Sequence, residues 1–206
     1  MLSENTFPKN VWGPCAWHLL HAISIRNNKE IKEKNKNSYI VFYKTFGYIL
    51  PCVICKEHYK NLFGIFHKIN YELICREYMI KWVFDLHNIV NKNLKKSEYD
   101  LSSCINNNID SNNKKIFFFI NNIYLHCDYN ELSMYNYEQY YNFFINFCNL
   151  YPDKNIRKVL KKLISSKDFL EIETPREFEK WFQHNYKIWT ALIIKKQRKN
   201  GIQLFF

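Results

Sequence analysis

The chain has 206 residues, 47% of them hydrophobic and 18% aromatic, which is ample material for a buried core and excludes a disordered tail. Four glycines and five prolines are few, so helices joined by short loops fit the composition better than a β-sandwich. The net charge of +11 is spread evenly over the chain, whereas nucleic-acid binding favours a concentrated basic stripe.

The N-terminus and the cysteine content indicate where the protein works. Residues 1–9 lack the apolar core of a signal peptide, and no uninterrupted apolar run approaches the roughly 20 residues of a membrane span. We therefore expect a soluble, non-secreted, cytoplasmic protein. In a reducing compartment, seven cysteines are more often catalytic or metal-bound than a disulfide scaffold.

Apolar residues recur at helical spacing along most of the chain. The predicted helices cover about 13–25, 38–49, 51–66, 71–96, 114–127, 135–150, 153–166 and 174–197. Thr174 and Glu177 form a capping box with Pro175 at the first helical position, which is the sharpest helix start in the chain. Residues 99–113, rich in serine and asparagine, are the best linker candidate.

A Cys-x-x-Cys motif opens the third predicted helix. Pro51 fits its first position and places Cys52 in the first turn, where the helix dipole favours a thiolate. Val53 and Ile54, between Cys52 and Cys55, are apolar, so we expect part of the motif to pack inward.

The motif alone allows a disulfide-exchange site, half a zinc site, or two buried cysteines. A zinc site could use Cys52, Cys55 and His58, with Cys75 or His67 as a fourth ligand. Structural zinc sites usually use two such knuckles, and the chain has no second Cys-x-x-Cys. The alternative that remains is a non-catalytic, zinc-stabilised helical binding module.

Three stretches taken together are more specific. Their residues are Gly13, Trp17, Leu20 and His21; Leu50, Pro51, Cys52 and Cys55; and Trp82, His87, Asn88, Val90, Asn91 and Leu94. In order and spacing they resemble the signatures of the FAD-linked sulfhydryl oxidases of the Erv/ALR family, over roughly residues 1–104. The Trp-Gly-Pro form of the first motif looks most like the forms carried by large DNA viruses.

The resemblance implies an all-α fold. An FAD-binding four-helix bundle with a short fifth helix would occupy residues 1–104, and a second helical domain of unassigned function would occupy 114–206. Cys52 and Cys55 would be the catalytic pair, with Cys52 as the exposed sulfur that substrate attacks and Cys55 facing the flavin. The implied cofactor-binding residues are Trp12, Gly13, Trp17, His21, Trp82, His87, Asn88, Val90, Asn91, Lys92, Leu94 and Lys96.

The resemblance also implies the reaction and the partners. A dithiol-containing protein substrate would reduce the Cys52–Cys55 disulfide, and electrons would pass to FAD and then to O2, giving H2O2. We expect a homodimer, no nucleic acid and no metal. A viral enzyme would act in the host cytoplasm or virus factory, or be packaged in the virion, with virion proteins as substrates.

The other five cysteines carry no paired motif that could act as a shuttle. Cys75 and Cys104 are a candidate structural bridge. Cys15 is expected to be a small buried side chain near the flavin, and Cys127 and Cys148 are expected in the core of the second domain.

Overall fold

The computed structural model describes residues 8–26, 28–66, 68–108, 112–125 and 127–199, and this part of the chain is helical with no strand, as predicted. The helices are α1 (Lys9–Ile25), α2 (Glu33–Ile49), α3 (Val53–Asn61), α4 (Arg76–Asn93), α5 (Leu101–Asn108), α6 (Asn113–Leu125), α7 (Met134–Leu150), α8 (Lys154–Ile164), α9 (Lys167–Leu170) and α10 (Pro175–Lys199). A π-helical turn, Leu62–Phe66, continues α3. None of the described helices is both long and apolar enough to cross a membrane.

Helix α1 begins four residues earlier than predicted. The carbonyl of Pro8 accepts the N–H groups of Val11 and Trp12 at 2.9 and 3.1 Å, so the helix starts at Lys9. Pro14 therefore lies in the second turn, where it has no N–H to donate to the carbonyl of Asn10. The additional turn brings Lys9 within hydrogen-bonding reach of Cys52.

Cysteine side chains cap two helices of the N-terminal half. The Sγ of Cys52 accepts the N–H of Cys55 at 3.2 Å, and the Sγ of Cys75 accepts the N–H of Tyr78 at 3.4 Å. Cys52 is thus the N-cap of α3, and Pro51 precedes the cap instead of occupying the first helical position. This places the first cysteine of the motif just outside the helix, with its sulfur turned towards the free N–H groups.

The segment predicted as a linker contains helix α5. Cys104 on α5 is buried, and its Sγ lies 3.4 Å from the Nδ1 of His21. The predicted Cys75–Cys104 bridge is wrong: both are free thiols. His21 bonds to His87, which lies about 18 Å along the α4 axis from Cys75, whereas a disulfide requires Cα atoms within roughly 7 Å.

The core spans both halves of the chain. Helix α1 packs against α4, α5 and α6, α2 packs against α3 and α7, and α10 packs against α6 and α9. The rings of Phe42 and Phe143 stack at 5.1 Å, and those of Phe46 and Phe119 lie 6.0 Å apart. The two halves therefore share a buried contact, and the division into domains 1–104 and 114–206 stays a prediction.

The predicted capping box starts α10. Glu177 donates its N–H to the Oγ1 of Thr174 at 3.3 Å, and the Glu177 carboxylate accepts the N–H of Thr174 at 3.0 Å. Two backbone donors are satisfied reciprocally, which fixes the helix start at Pro175 as the sequence predicts.

Candidate functional site

A cavity of about 920 Å³ lies along α1, bounded by α3, the C-terminal half of α4, and α5. Its size is that of a small-molecule or cofactor site. The predicted site residues that line it are Trp12, Gly13, Trp17, His21, Cys55, His87, Val90, Asn91, Leu94 and Lys96. The structure therefore brings one cysteine of the motif together with residues of the first and third sequence stretches.

An aromatic wall closes one part of the cavity. The rings of Trp17 and His87 stack at 3.9 Å with an interplanar angle of 7°. The Nε2 of His21 lies 3.0 Å from the Nδ1 of His87, and the ring of Tyr99 lies 5.2 Å from that of His87. Trp17 and His21 are four residues apart on α1, so both face α4.

Burial keeps the two histidines of this wall neutral. It is the main reason that the pKa of His21 is lowered to about 3, and the neighbouring rings of His87 and His18 contribute. Burial likewise lowers the pKa of His87 to about 4, and the positive charge of Lys96 contributes. At neutral pH one of the paired nitrogens must carry a proton and the other a lone pair.

The two cysteines of the motif have different surroundings. Cys55 is half-buried and lines the cavity, whereas Cys52 is only 1% exposed, which differs from the prediction that Cys52 is the accessible sulfur. The reason is its role as the α3 cap, which turns the Sγ towards the Cys55 N–H and the Lys9 ammonium.

The surroundings of Cys52 favour its thiolate. Burial alone raises the pKa of this thiol, but hydrogen bonds from Cys55 and from Lys9 more than offset that effect, and the pKa falls below its usual range. A lowered pKa increases the thiolate fraction, and the thiolate is the form that reacts in disulfide exchange.

The part of the motif that packs inward is the first cysteine. Cys52 is 1% exposed, whereas Val53 is 55% and Ile54 73% exposed. The Cys-x-x-Cys motif is thus bordered by an exposed apolar surface.

Three predicted cofactor-binding residues are placed away from the cavity lining. Trp82 is buried beneath it, with its ring edge-on to those of Tyr43 and Phe63 at 5.1 and 5.9 Å. Asn88 holds the backbone of Tyr99, accepting its N–H at 2.9 Å and donating to its carbonyl at 3.1 Å. Lys92 is exposed on the last turn of α4.

The end of α4 explains why Lys96 reaches the cavity. Lys95 has φ 54°, and the N–H groups of Lys95 and Lys96 donate to the carbonyls of Lys92 and Asn91 at 3.0 and 2.9 Å. This is a Schellman motif with lysine in the left-handed conformation that usually takes glycine. Leu94, directly before the left-handed residue, and Lys96, directly after it, both line the cavity.

Sequence reasoning missed residues that reach the cavity through long-range contacts. The Nδ1 of buried His18 donates to the Oδ1 of Asn108 at 3.0 Å, and the N–H of Asn112 donates to the Nε2 of His18 at 3.0 Å. Tyr99 and Lys115 also line the cavity. The one sequence signal for these contacts is that His18 lies next to Trp17 on the same helix.

The cavity lining is cationic. Among the described residues that line it, the charged side chains are Lys9, Lys96 and Lys115, and none is acidic. The side chain of Asn91 on the cavity wall is buried, and a Cβ added to Gly13 would meet no atom within 4 Å. The site therefore offers room, an amide group and positive charge to an anionic ligand.

The zinc alternative gains no support. The described residues contain no group of three or more His, Cys, Asp or Glu side chains placed to hold a metal ion. His58 lies on the cavity wall, with its Nε2 3.1 Å from the Nδ2 of Asn93, so its ring nitrogen already has a partner.

A Cys-x-x-Cys motif thus lies beside a cationic, aromatic-walled cavity in a helical structure. Residues 14–112 match the family model described as "Erv1 / Alr family". This part of the chain is therefore similar to the domain of that family.

Two curated relatives each match part of the chain. A "Probable FAD-linked sulfhydryl oxidase" of Acanthamoeba polyphaga mimivirus is 31% identical over 80 residues, which are 39% of this chain and 56% of the relative. A mitochondrial FAD-linked sulfhydryl oxidase of Saccharomyces cerevisiae is 26% identical over 88 residues, 43% of this chain and 45% of the relative. The chain thus spans about half the length of the curated relatives it matches. No solved structure matches the chain significantly.

Proposed function

We propose that this protein is an FAD-dependent thiol oxidase that forms disulfides in dithiol-containing protein substrates. The observation that carries the proposal is the position of Cys55, which lines one cavity together with Trp17, His21, His87 and Asn91. The names of the two relatives give the same activity to proteins that share this domain.

The cavity fits FAD by the chemistry of its lining. Lys96 and Lys115 offer positive charge to a pyrophosphate, the Asn91 amide offers a donor and an acceptor, and Trp17 and His87 offer flat surfaces for a ring system. Gly13 has no side chain, and a Cβ at this position would point into the open cavity without meeting any atom within 4 Å. When bound, FAD would supply the two-electron acceptor for the dithiol, with O2 as the final acceptor and H2O2 as the product.

The protein's own residues carry out the thiol chemistry. A substrate thiolate attacks the Cys52–Cys55 disulfide, a second substrate thiol resolves the mixed disulfide, and the substrate leaves oxidised while the pair becomes a dithiol. Cys55 lines the cavity and is the cysteine from which the electrons leave the pair. Access to Cys52 requires displacement of Lys9, whose ammonium hydrogen-bonds to its sulfur.

The partners follow from this role. The substrates would be proteins with paired thiols, and O2 would be the electron acceptor. Similarity to a mimivirus protein supports a viral origin, in which case virion proteins are the natural substrates and the host cytoplasm, the virus factory or the virion is the site of action. We expect the bundle to form a homodimer.

Absorption spectroscopy of the purified chain tests the cofactor directly. The protein should be yellow, and denaturation should release FAD in about a one-to-one ratio, in line with one cofactor cavity. Colourless protein that contains stoichiometric zinc would contradict the proposal and support the binding module.

A further inference from the structure

The C-terminal half contributes a cation to the cavity wall. Lys115, in the first turn of α6, lines the cavity, although the family match ends at residue 112. We propose that Lys115 binds the phosphate groups of the flavin nucleotide, so that the C-terminal half is part of the cofactor site. The inference rests on the proposed function, because it takes FAD as the ligand.

Contacts with α1 fix the position of α6. The N–H of Asn112 donates to the Nε2 of His18, and the Nδ1 of the same ring donates to Asn108. About two turns further on, the rings of Trp12 and Phe119 lie 6.4 Å apart, and both side chains are buried. Lys115 lies between these two contacts in the sequence, so its backbone is held on the wall of the cavity.

Lys115 lies beside the middle of α1. Its charge acts on Cys15 and His18 of that helix. The Cys52 end of the cavity is marked by Lys9, and the histidine end by His21, which is twelve residues and about 18 Å further along α1. A dinucleotide has a ring system at each end and phosphates between them. Bound along the cavity, it would place its negative charge beside the middle of α1, where Lys115 lies.

The charge of Lys115 has no acidic counterpart in the cavity. No ion pair that the structure describes includes Lys115 or Lys96, and no acidic side chain is found among the described lining residues. Both lysines are exposed, so neither needs a partner to remain charged. Their arrangement favours an anionic ligand over a neutral one.

Titration of the flavin-free full chain with FAD and with riboflavin, followed by flavin fluorescence, tests the inference. Lys115→Ala should weaken FAD binding about ten-fold, the loss expected of one charge-assisted contact, and leave riboflavin binding unchanged, because riboflavin has no phosphate. Lys115→Arg should retain FAD affinity within about three-fold, since guanidinium also binds phosphate. Lys114→Ala, which removes an exposed neighbour outside the cavity lining, is the matched control and should bind like wild type.

The outcomes separate the inference from the proposed function. Wild-type protein that binds FAD, with Lys115→Ala binding it equally tightly, would overturn the inference alone. Equal losses for FAD and riboflavin in Lys115→Ala would overturn it as well, because the effect would then not depend on phosphate. Wild-type protein that binds neither flavin would contradict the proposed function, and the inference with it.

Discussion

The Nε2 of His21 and the Nδ1 of His87 lie 3.0 Å apart, and the His87 ring is stacked on Trp17. This hydrogen bond joins α1 to α4 at the cavity wall and requires that the accepting nitrogen stay unprotonated, and burial keeps both rings neutral. The same contact holds the aromatic wall in place and makes the fold sensitive to acid.

We expect stability to fall as the pH drops from 7 to 5. The pKa values of His21 and His87 are lowered to about 3 and 4, so the unfolded chain binds protons below pH 6.5 that the folded chain does not. By linkage, each histidine should lower the free energy of unfolding by about 2 kcal/mol over this range. Urea unfolding at pH 7 and pH 5 measures this difference in the free energy of unfolding. His87→Gln should show about half of the difference that wild type shows. Equal stability at pH 5 and 7 would contradict the neutral pair.

The exposed Val53 should contribute to the recognition of protein substrates. Val53→Asn removes apolar surface beside Cys52 and Cys55. We expect kcat/KM for reduced thioredoxin to fall about four-fold, which corresponds to part of the free energy of burying one valine side chain. The rate of dithiothreitol oxidation should be unchanged. Leu73→Asn is the control, because Leu73 is also 55% exposed but lies before α4. A similar loss in both variants, or a loss with dithiothreitol, would refute the docking role.

The left-handed Lys95 should be a site where glycine stabilises the protein. Lys95→Gly relieves the strain of a side chain at φ 54°, and we expect the free energy of unfolding to rise by about 1 kcal/mol. Lys92→Gly, in the last turn of α4, should lower it by about 1 kcal/mol, because glycine is unfavourable within a helix. Thermal unfolding of both variants measures the difference. A lower free energy of unfolding in Lys95→Gly would show that the left-handed conformation of Lys95 does not destabilise the protein.

A chain truncated after Asn113 should fold poorly. It would lose Phe119 and Phe143, which cover Phe46 and Phe42, and each uncovered phenylalanine costs about 2 kcal/mol. Circular dichroism and thermal melting of the truncated and full chains compare the two. A truncated chain that melts at the temperature of the full chain would show that the predicted domain 1–104 folds by itself.

The sequence predicts the helices better than it predicts which side chains face the cavity. Helical periodicity and the Thr174 capping box identify the elements, because both signals are local. The signature of α4 contains both Asn88 and Asn91, yet only Asn91 lines the cavity, since Asn88 is used to hold the backbone of Tyr99. That choice depends on the path of the chain after α4, which no local pattern encodes.

Long-range contacts account for the rest of the site. Lys96 reaches the cavity only because Lys95 adopts a left-handed conformation, and Lys115 only because α6 packs against α1. The burial of Cys52 follows from its role as the α3 cap, and the early start of α1 brings Lys9 to its sulfur. Each of these placements joins residues that are distant in sequence or departs from a local preference.

Oxygen consumption driven by a dithiol tests the central claim most directly. Wild-type protein should consume O2 and produce H2O2 in a one-to-one ratio, as two-electron transfer through FAD requires. Cys55→Ser should retain bound FAD and lose this activity, whereas Cys75→Ser, which keeps a good helix cap on α4, should retain both. Full turnover by Cys55→Ser would contradict the assignment of Cys52 and Cys55 as the redox pair.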